Sequence, residues 1–290
     1  MTPTAPVIEV GRFPITEHVP IAQGTWRLTF SAPGLARRIA PGQFVMVRAP
    51  DRTDPLLGRA FALYDTTLDA DGQPDGVAIV YCSVGKLTNL LPTFPVGAMI
   101  EVWGPLGRAF PDYTGTEHLV VVAGGIGQTP FVSLIRRVLG QKGYGGQPAR
   151  AEVGRVTCFY GVRSADRFAG LDDFTAAGAE MHLATDDGTR GYSGSVTELL
   201  TVRHQAGQLG GAIRLAGCGP EPMLRALAAI AERLELPCDL SLETPMACGT
   251  GLCFTCVTRV RQADGSWDYR RVCVEGPVFD ARQLVLECEI

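Results

Sequence analysis

Cys248, Cys253 and Cys256 follow the pattern C-x4-C-x2-C, and Cys273 comes after a further 16 residues. Thiolates so spaced can converge on two irons, the plant-type [2Fe–2S] arrangement with a distant fourth cysteine. Gly249 and Gly251 let the loop between the first two ligands fold closely, with amides aimed at the sulfides. A structural zinc site and unrelated buried thiols are the other readings. Zinc usually takes two C-x2-C-like pairs, and only one is present. The remaining cysteines, Cys82, Cys158, Cys218, Cys238 and Cys288, are scattered.

A second chemistry is written in glycine. The apolar run Leu119–Ala123 enters Gly124-Gly125-Ile126-Gly127-Gln128-Thr129-Pro130 and then a helical stripe of Phe131, Leu134, Ile135 and Val138. A strand, a glycine turn and a helix start can cradle a pyrophosphate, because free amides face the anion. From Gly125 the turn reads G-x-G-x-x-P, not the usual dinucleotide fingerprint. A plain tight turn is therefore the alternative. Ile213–Ala216 leads into a second such exit, Gly217-Cys218-Gly219-Pro220, and the two could form opposite walls of one cleft. Cys218 reads as a small packing side chain near a cofactor, since no partner thiol lies close in sequence. A third feature is Arg59 on the otherwise apolar run Arg59–Tyr64, either a phosphate partner or a surface charge.

The elements around these features fall into three stretches: 1–113, 114–236 and 237–290. The first reads as a small antiparallel β-barrel. Strands are expected at Trp26–Phe30, Gln43–Val47, Arg59–Tyr64, Val77–Val84 and Met99–Trp103, parted by turn formers such as Asp69–Gly76. The second alternates strands with helices, which implies a doubly wound parallel sheet. Its further strands are Val156–Val162 and Glu180–Thr185, and its last helix carries Leu224, Leu227, Ala231 and Leu234. The third is a small lobe with the cysteine cluster and a hairpin at Ala263–Gly265. Gly140–Gly154 reads as a flexible surface connector.

Composition bounds the function. Apolar residues are 46% and charged residues 19% of 290, with a mean hydropathy of +0.12, so a folded chain with ample core is expected. The net charge of −4 argues against nucleic-acid binding, which needs a basic face. No apolar run is long enough for a membrane span. Met1–Val10 has no secretory pattern, and a cytoplasmic location is expected. His18, His118, His182 and His204 share no motif and read as ordinary core or surface residues.

Five stretches together carry a resemblance: Arg59–Leu63, Gly104–Gly107 with Phe110, Gly124–Pro130, Ser241–Glu243 running into the cysteine motif, and Arg271–Phe279. They resemble the ferredoxin–NAD(P)H reductase superfamily, and within it the electron-transfer subunits of class B dihydroorotate dehydrogenases. The resemblance implies a six-stranded FAD barrel, an NAD domain and a C-terminal [2Fe–2S] lobe. It implies that Arg59 binds the FAD pyrophosphate and that Ala60, Phe61 and Ala62 line the isoalloxazine edge. Val80, Tyr81 and Cys82 would flank the ribityl or adenine side, and Leu87 and Thr88 would offer amides to phosphate. Gly124, Gly125, Gly127, Gln128, Thr129, Pro130, Cys218, Gly219 and Pro220 would hold NAD, with NADP possible through Arg163 and Arg167. Cys248, Cys253, Cys256 and Cys273 would ligate the cluster.

Two departures stand out: Ala62 where the family usually has Ser, and Leu87-Thr88 where it usually has Gly-Thr. A leucine cannot adopt a positive φ cheaply, so a different phosphate loop is expected. The activity implied is an oxidoreductase relay, with hydride exchange between NADH and FAD and single electrons passing through the cluster. The partner implied is an FMN-bearing catalytic subunit of pyrimidine synthesis, in a heterotetramer docked near the cluster, where Arg270 and Arg271 are candidate contacts. Two rival readings are a reductase subunit of an NAD(P)H:ferredoxin oxidoreductase or sulfhydrogenase, and a zinc-stabilised binding module.

Overall fold

The computed structural model describes residues 7–286, so Cys288 and the first six residues lie outside it. The first unit is one antiparallel sheet. Its strands are β1 (Glu9–Ala22), β2 (Thr25–Ser31), β3 (Phe44–Arg48), β4 (Arg59–Ala62), β5 (Asp65–Leu68), β6 (Pro74–Cys82) and β7 (Met99–Leu106), in the order β4-β3-β7-β1-β2-β6-β5. That makes seven strands where the resemblance implied six, because short β5 adds to the outer edge of β6. The long β1 was not foreseen. Pro14 and Pro20 interrupt its pattern, and prolines demote a strand. It pairs β7 over Glu9–Pro14 and β2 from Ile15 onward, with a register shift between Ile15 and Glu17. The short helices α1 (Pro33–Ala36) and α2 (Lys86–Leu90) close the ends of a core built from Leu28, Phe30, Val45, Val47, Ile79 and Val102.

Side chains alternate across a strand. In β3, Val45 and Val47 enter that core, whereas Phe44 and Met46 face the other way. Their register partners on β4 are Ala62 and Ala60, so small residues lie on this second face. The face is where the rest of the molecule packs.

The second unit is parallel. It runs β8 (His118–Gly124), α3 (Phe131–Val138), β9 (Arg155–Val162), α4 (Leu171–Ala176), β10 (Glu180–Thr185), β11 (Tyr192–Ser193), α5 (Val196–Gln205), β12 (Ile213–Cys218), α6 (Glu221–Arg233) and β13 (Cys238–Ser241). The sheet order is β11-β10-β9-β8-β12-β13. Chain order therefore reverses at β8, and crevices form outside the carboxyl ends of strands at such a switch point. Helices α3 and α4 cover one face, and α5 and α6 the other.

The third stretch is less separate than its composition implies. The hairpin β14 (Val257–Arg261) and β15 (Trp267–Arg271) stands alone, followed by α7 (Val272–Glu275). But β13 and β16 (Val278–Asp280) join the parallel sheet, β16 pairing antiparallel along β13. All four residues of β13 are buried, so its outer edge needs a partner for its backbone groups. One core links Met46 and Leu106 of the barrel, Leu215 of β12 and Leu227 of α6, and Cys256, Val260 and Val272 of the lobe.

The segment 140–154 also departs from expectation. Lys142 and Tyr144 reach back to the buried Asp65 of β5, which also pairs with Arg136 of α3. Burying Asp65 is offset by these partners, and the segment ties the two units together instead of hanging free.

Candidate functional site

Two cavities open where the units meet. The first, of about 350 Å³, has one wall from the barrel: Arg59, Ala60, Phe61 and Ala62 on β4, Val80, Tyr81 and Cys82 on β6, then Gly85, Leu87 and Thr88. Ala60 and Ala62 make this wall shallow, so a flat ring system can approach the sheet. Arg59 donates from Nη1 only to the carbonyls of Leu57 and Gly58, at 3.1 and 3.0 Å, and has no carboxylate partner among the described residues. An unpaired guanidinium beside a cavity suits a phosphate.

Leu87 needs no positive φ after all. It lies inside α2, and its side chain is buried in the barrel core. Thr88 Oγ1 accepts from the amides of Val84 and Gly85, at 3.0 and 2.9 Å. The amides that open α2 have no intrahelical acceptor and border the cavity.

The opposite wall is Ile126, Thr129, Cys218 and the run Ser241–Met246, with Pro277. Burial, then the nearby Glu243, pushes the Cys218 thiol well above its ordinary range, so it stays a neutral packing group. Glu243 keeps a flank open to the cavity, and the surrounding protein raises its carboxyl.

The second cavity, of about 530 Å³, lies at the carboxyl ends of the parallel strands. Gly124, Gly125 and Ile126 come from the exit of β8, Tyr160–Arg163 from β9, Asp186 from β10, and Pro220 and Met223 from the start of α6. Arg167 and Ser195 line it too, and Thr25 and Cys82 reach it from the barrel. Cys82 and Ile126 line both cavities, so the two spaces adjoin there. A two-cavity site with one shared wall can bring two planar groups face to face.

The remaining residues of the glycine exits do other work. Gly127, Gln128, Pro130 and Gly219 line neither cavity. A Cβ on Gly127 would stand 2.4 Å from the Cys218 carbonyl oxygen, so this glycine lets the two exits touch. Gln128 is fully buried, and its amide atoms have no partner among the described residues. Thr129 and Cys218 face the first cavity instead of the second. No histidine lines either cavity.

The four clustered cysteines come in two pairs. Cys248 and Cys253 are neighbours in the loop, each acting on the other's thiol. The Cys273 amide donates to Cys256 Sγ at 3.4 Å. Among the described residues, no group of three or more His, Cys, Asp or Glu side chains gathers for a single metal ion. Two thiol pairs suit two irons, one pair each, better than one tetrahedral zinc. Gly249 (φ +72°) and Gly251 (φ +88°) take left-handed turns, and between them the Thr250 amide donates to Cys248 Sγ at 3.4 Å. Burial disfavours the Cys248 thiolate, but bonds from Thr250 and Cys253 outweigh it and bring that thiol down to about 6. Arg271 is committed inside the lobe, to Glu275, to the Gly251 carbonyl and over the Phe254 ring. Arg270 pairs with Asp268 and Gln262.

Three family models match in chain order: an oxidoreductase FAD-binding domain over residues 12–110, an oxidoreductase NAD-binding domain over 121–229, and the iron-sulfur cluster binding domain of dihydroorotate dehydrogenase B over 243–285. Curated relatives carry the name dihydroorotate dehydrogenase B (NAD(+)), electron transfer subunit. The one from Desulforamulus reducens is 33% identical over 92% of this chain and 95% of its own length. The one from Geobacillus kaustophilus is 36% identical over 92% and 95%.

The chain belongs to the dihydroorotate dehydrogenase B electron transfer subunits.

It thus has FAD-, NAD- and iron–sulfur-binding domains, and the zinc-module reading falls. A solved NADH-dependent reduced ferredoxin-NADP oxidoreductase shares the fold, with a TM-score of 0.77 over 99% of this chain and 92% of that one, at 23% identity. A ferredoxin NADP+ reductase from Neisseria gonorrhoeae matches at a TM-score of 0.61 over 78% and 91%, at 17% identity. The run Ser241–Met246 lines the first cavity although no residue-type motif marks it. Its signal was positional: it joins the last parallel strand to the first cluster ligand, and must cross the front of the barrel to do so.

Proposed function

We propose that this chain carries electrons between a nicotinamide dinucleotide and a dihydroorotate dehydrogenase catalytic subunit. The observation that carries the reading is the adjacency of three sites: two cavities sharing Cys82 and Ile126, and a cysteine loop that starts two residues after Met246 of the first cavity. Two residues span at most about 7 Å of chain, a short step for an electron. When bound, FAD supplies conversion between a hydride pair and single electrons, and a [2Fe–2S] cluster supplies a one-electron store.

The chain's own residues hold and orient. Arg59 and the opening amides of α2 take the FAD diphosphate. Ala60–Ala62 and Val80–Cys82 lay the flat walls. Gly124, Gly125 and Pro220 receive the dinucleotide at the switch point, and Arg163, Arg167, Asp186 and Ser195 face its far end. Cys248, Cys253, Cys256 and Cys273 would hold the cluster. Functionally the barrel extends to about residue 113. The nucleotide unit includes β13 and β16, and the cluster lobe is confined to the chain between them.

Arg59→Ala is expected to weaken FAD retention about tenfold or more, because a charge-assisted bond to phosphate is worth about 1.5–3 kcal/mol. Flavin released on dilution measures it, and wild-type retention would count against the assignment.

The partner is the FMN-bearing catalytic subunit, in a heterotetramer, and it docks on the cluster lobe. Leu252 (86% exposed) and Phe254 (60%) flank the exposed Cys253. Arg271 is a poor docking probe because its reversal would break the loop. Leu252→Asp is the clean one, expected to abolish co-elution with the catalytic subunit while flavin and iron stay at wild-type content. Unchanged co-elution would move the docking face elsewhere. All eight described cysteines are free, which suits a reducing cytoplasm, and no described helix is long and apolar enough to cross a membrane.

The relay is tested by anaerobic titration with NADH. Bleaching of the flavin absorbance followed by a reduced-cluster resonance supports it. Flavin bleaching with the cluster left oxidised contradicts it.

A further inference from the structure

We infer that Trp103 is a positioning residue that clamps the cluster loop onto the flavin-bearing face of the barrel. The inference rests on the cofactor reading above, and its geometry stands on the chain alone.

Trp103 lies on β7, with Met46 as its register partner on β3. Met46 in turn opposes Ala60 on β4, whose side chain lines the flavin cavity. Opposed residues of an antiparallel pair share a face. Trp103, Met46 and Ala60 thus form one row across the sheet, with the flavin wall at one end. The half-buried indole lies across Gly58, where a Cβ would come within 2.6 Å of Trp103 Cη2. Gly58 immediately precedes the flavin-wall strand, and its missing side chain makes room for the ring.

From that seat Trp103 Nε1 donates to the Cys248 carbonyl at 2.9 Å, across 145 residues of sequence. Cys248 is the first cluster ligand. The next residue, Gly249, has φ +72° and sits on the same row: a Cβ there would be 2.7 Å from Met46 Cγ and 3.0 Å from Leu106 Cδ1. One indole N–H and one bare backbone position therefore hold the first turn of the cluster loop on the sheet. Two further features hold the loop's other end within the lobe, the Arg271–Gly251 and Cys273–Cys256 contacts, while Cys256 packs in the shared core with Met46 and Leu106. The Trp103–Gly249 seat thus fixes the flavin-facing end of the loop, where the first ligand stands.

The test compares Trp103→Phe, Gly249→Ala and Gly265→Ala in the purified holoprotein. Trp103→Phe keeps the ring and removes the donor. Gly249→Ala pushes the loop off Met46 by an independent route. Gly265→Ala is the control, with φ +85° at the hairpin tip and nothing within 4 Å of its Cβ. Three readouts are taken: amide hydrogen exchange over 248–256, iron and flavin content, and stopped-flow rates of flavin and cluster reduction by NADH.

Trp103→Phe is expected to keep both cofactors and the wild-type rate of flavin reduction. Exchange in the loop is expected to rise about tenfold, and reduction of the cluster to lag behind that of the flavin. Gly249→Ala should shift both readouts the same way and Gly265→Ala neither. Wild-type exchange and cluster kinetics in both Trp103→Phe and Gly249→Ala would overturn the clamp. If wild-type protein holds no iron, the cofactor reading fails, and the exchange comparison still decides whether Trp103 seats the loop.

Discussion

Cys256→Ala is expected to give a yellow protein without iron. Cys256 is only 2% exposed, pairs with Cys273, and lies in the core that joins the lobe to the other two units. Alanine preserves the backbone bond by which the Cys256 carbonyl accepts from the Val272 amide at 2.7 Å, so the loop retains its path. It removes one of four thiolates, and three cannot close two tetrahedral irons. Iron should fall from about two per chain to near zero. The flavin should stay, because its cavity uses no cluster ligand. NADH should still bleach it, while transfer to one-electron acceptors that draw on the cluster is lost. Metal analysis and NADH titration check this, and full iron content would remove Cys256 from the ligand set.

Gly127→Ala is expected to cut NADH-driven flavin reduction by about a hundredfold while leaving reduction by dithionite intact. The added methyl would run into the backbone of the second exit: the Cys218 carbonyl oxygen at 2.4 Å, its carbon at 2.5 Å and Gly219 Cα at 2.6 Å. Backbone cannot rotate aside as a flexible side chain can. Strands β8 and β12 are hydrogen-bonded neighbours up to Ala123 and Cys218, so the strain falls on the exits just beyond. Those exits supply both sides of the nucleotide cavity. Overpacking costs about 1–3 kcal/mol, and each 1.36 kcal/mol is about a factor of ten. Stopped-flow rates with the two reductants separate loss of the nucleotide site from loss of the flavin. Equal slowing with both would show that Gly127 supports the flavin site as well.

Much of this was legible in the residues because the decisive features are local. The cysteine spacing, the two strand-to-glycine exits and the Arg59 strand each lie in one short segment, and each stands where a cofactor site needs it. What sequence did not disclose is non-local. The prolines of β1 hid a strand that bends to serve two neighbours. Strands β13 and β16 flank the cysteine region, yet pairing places them in the parallel sheet. Lys142 and Tyr144 looked like parts of a plain connector because their partner, Asp65, lies more than seventy residues away. Leu87 looked like an intruder in a glycine position, and its helix removes the need for a left-handed residue. The Trp103 bond to Cys248 spans two units and has no local signature.

Electrons should enter or leave this chain through a dihydroorotate dehydrogenase partner. The most direct measurement is an anaerobic pull-down of the tagged chain from its native cells, assayed for orotate-dependent NADH oxidation. Activity is expected in the captured complex and none in the isolated chain. A captured chain that carries flavin and iron, is bleached by NADH, and shows no orotate-dependent oxidation would contradict it.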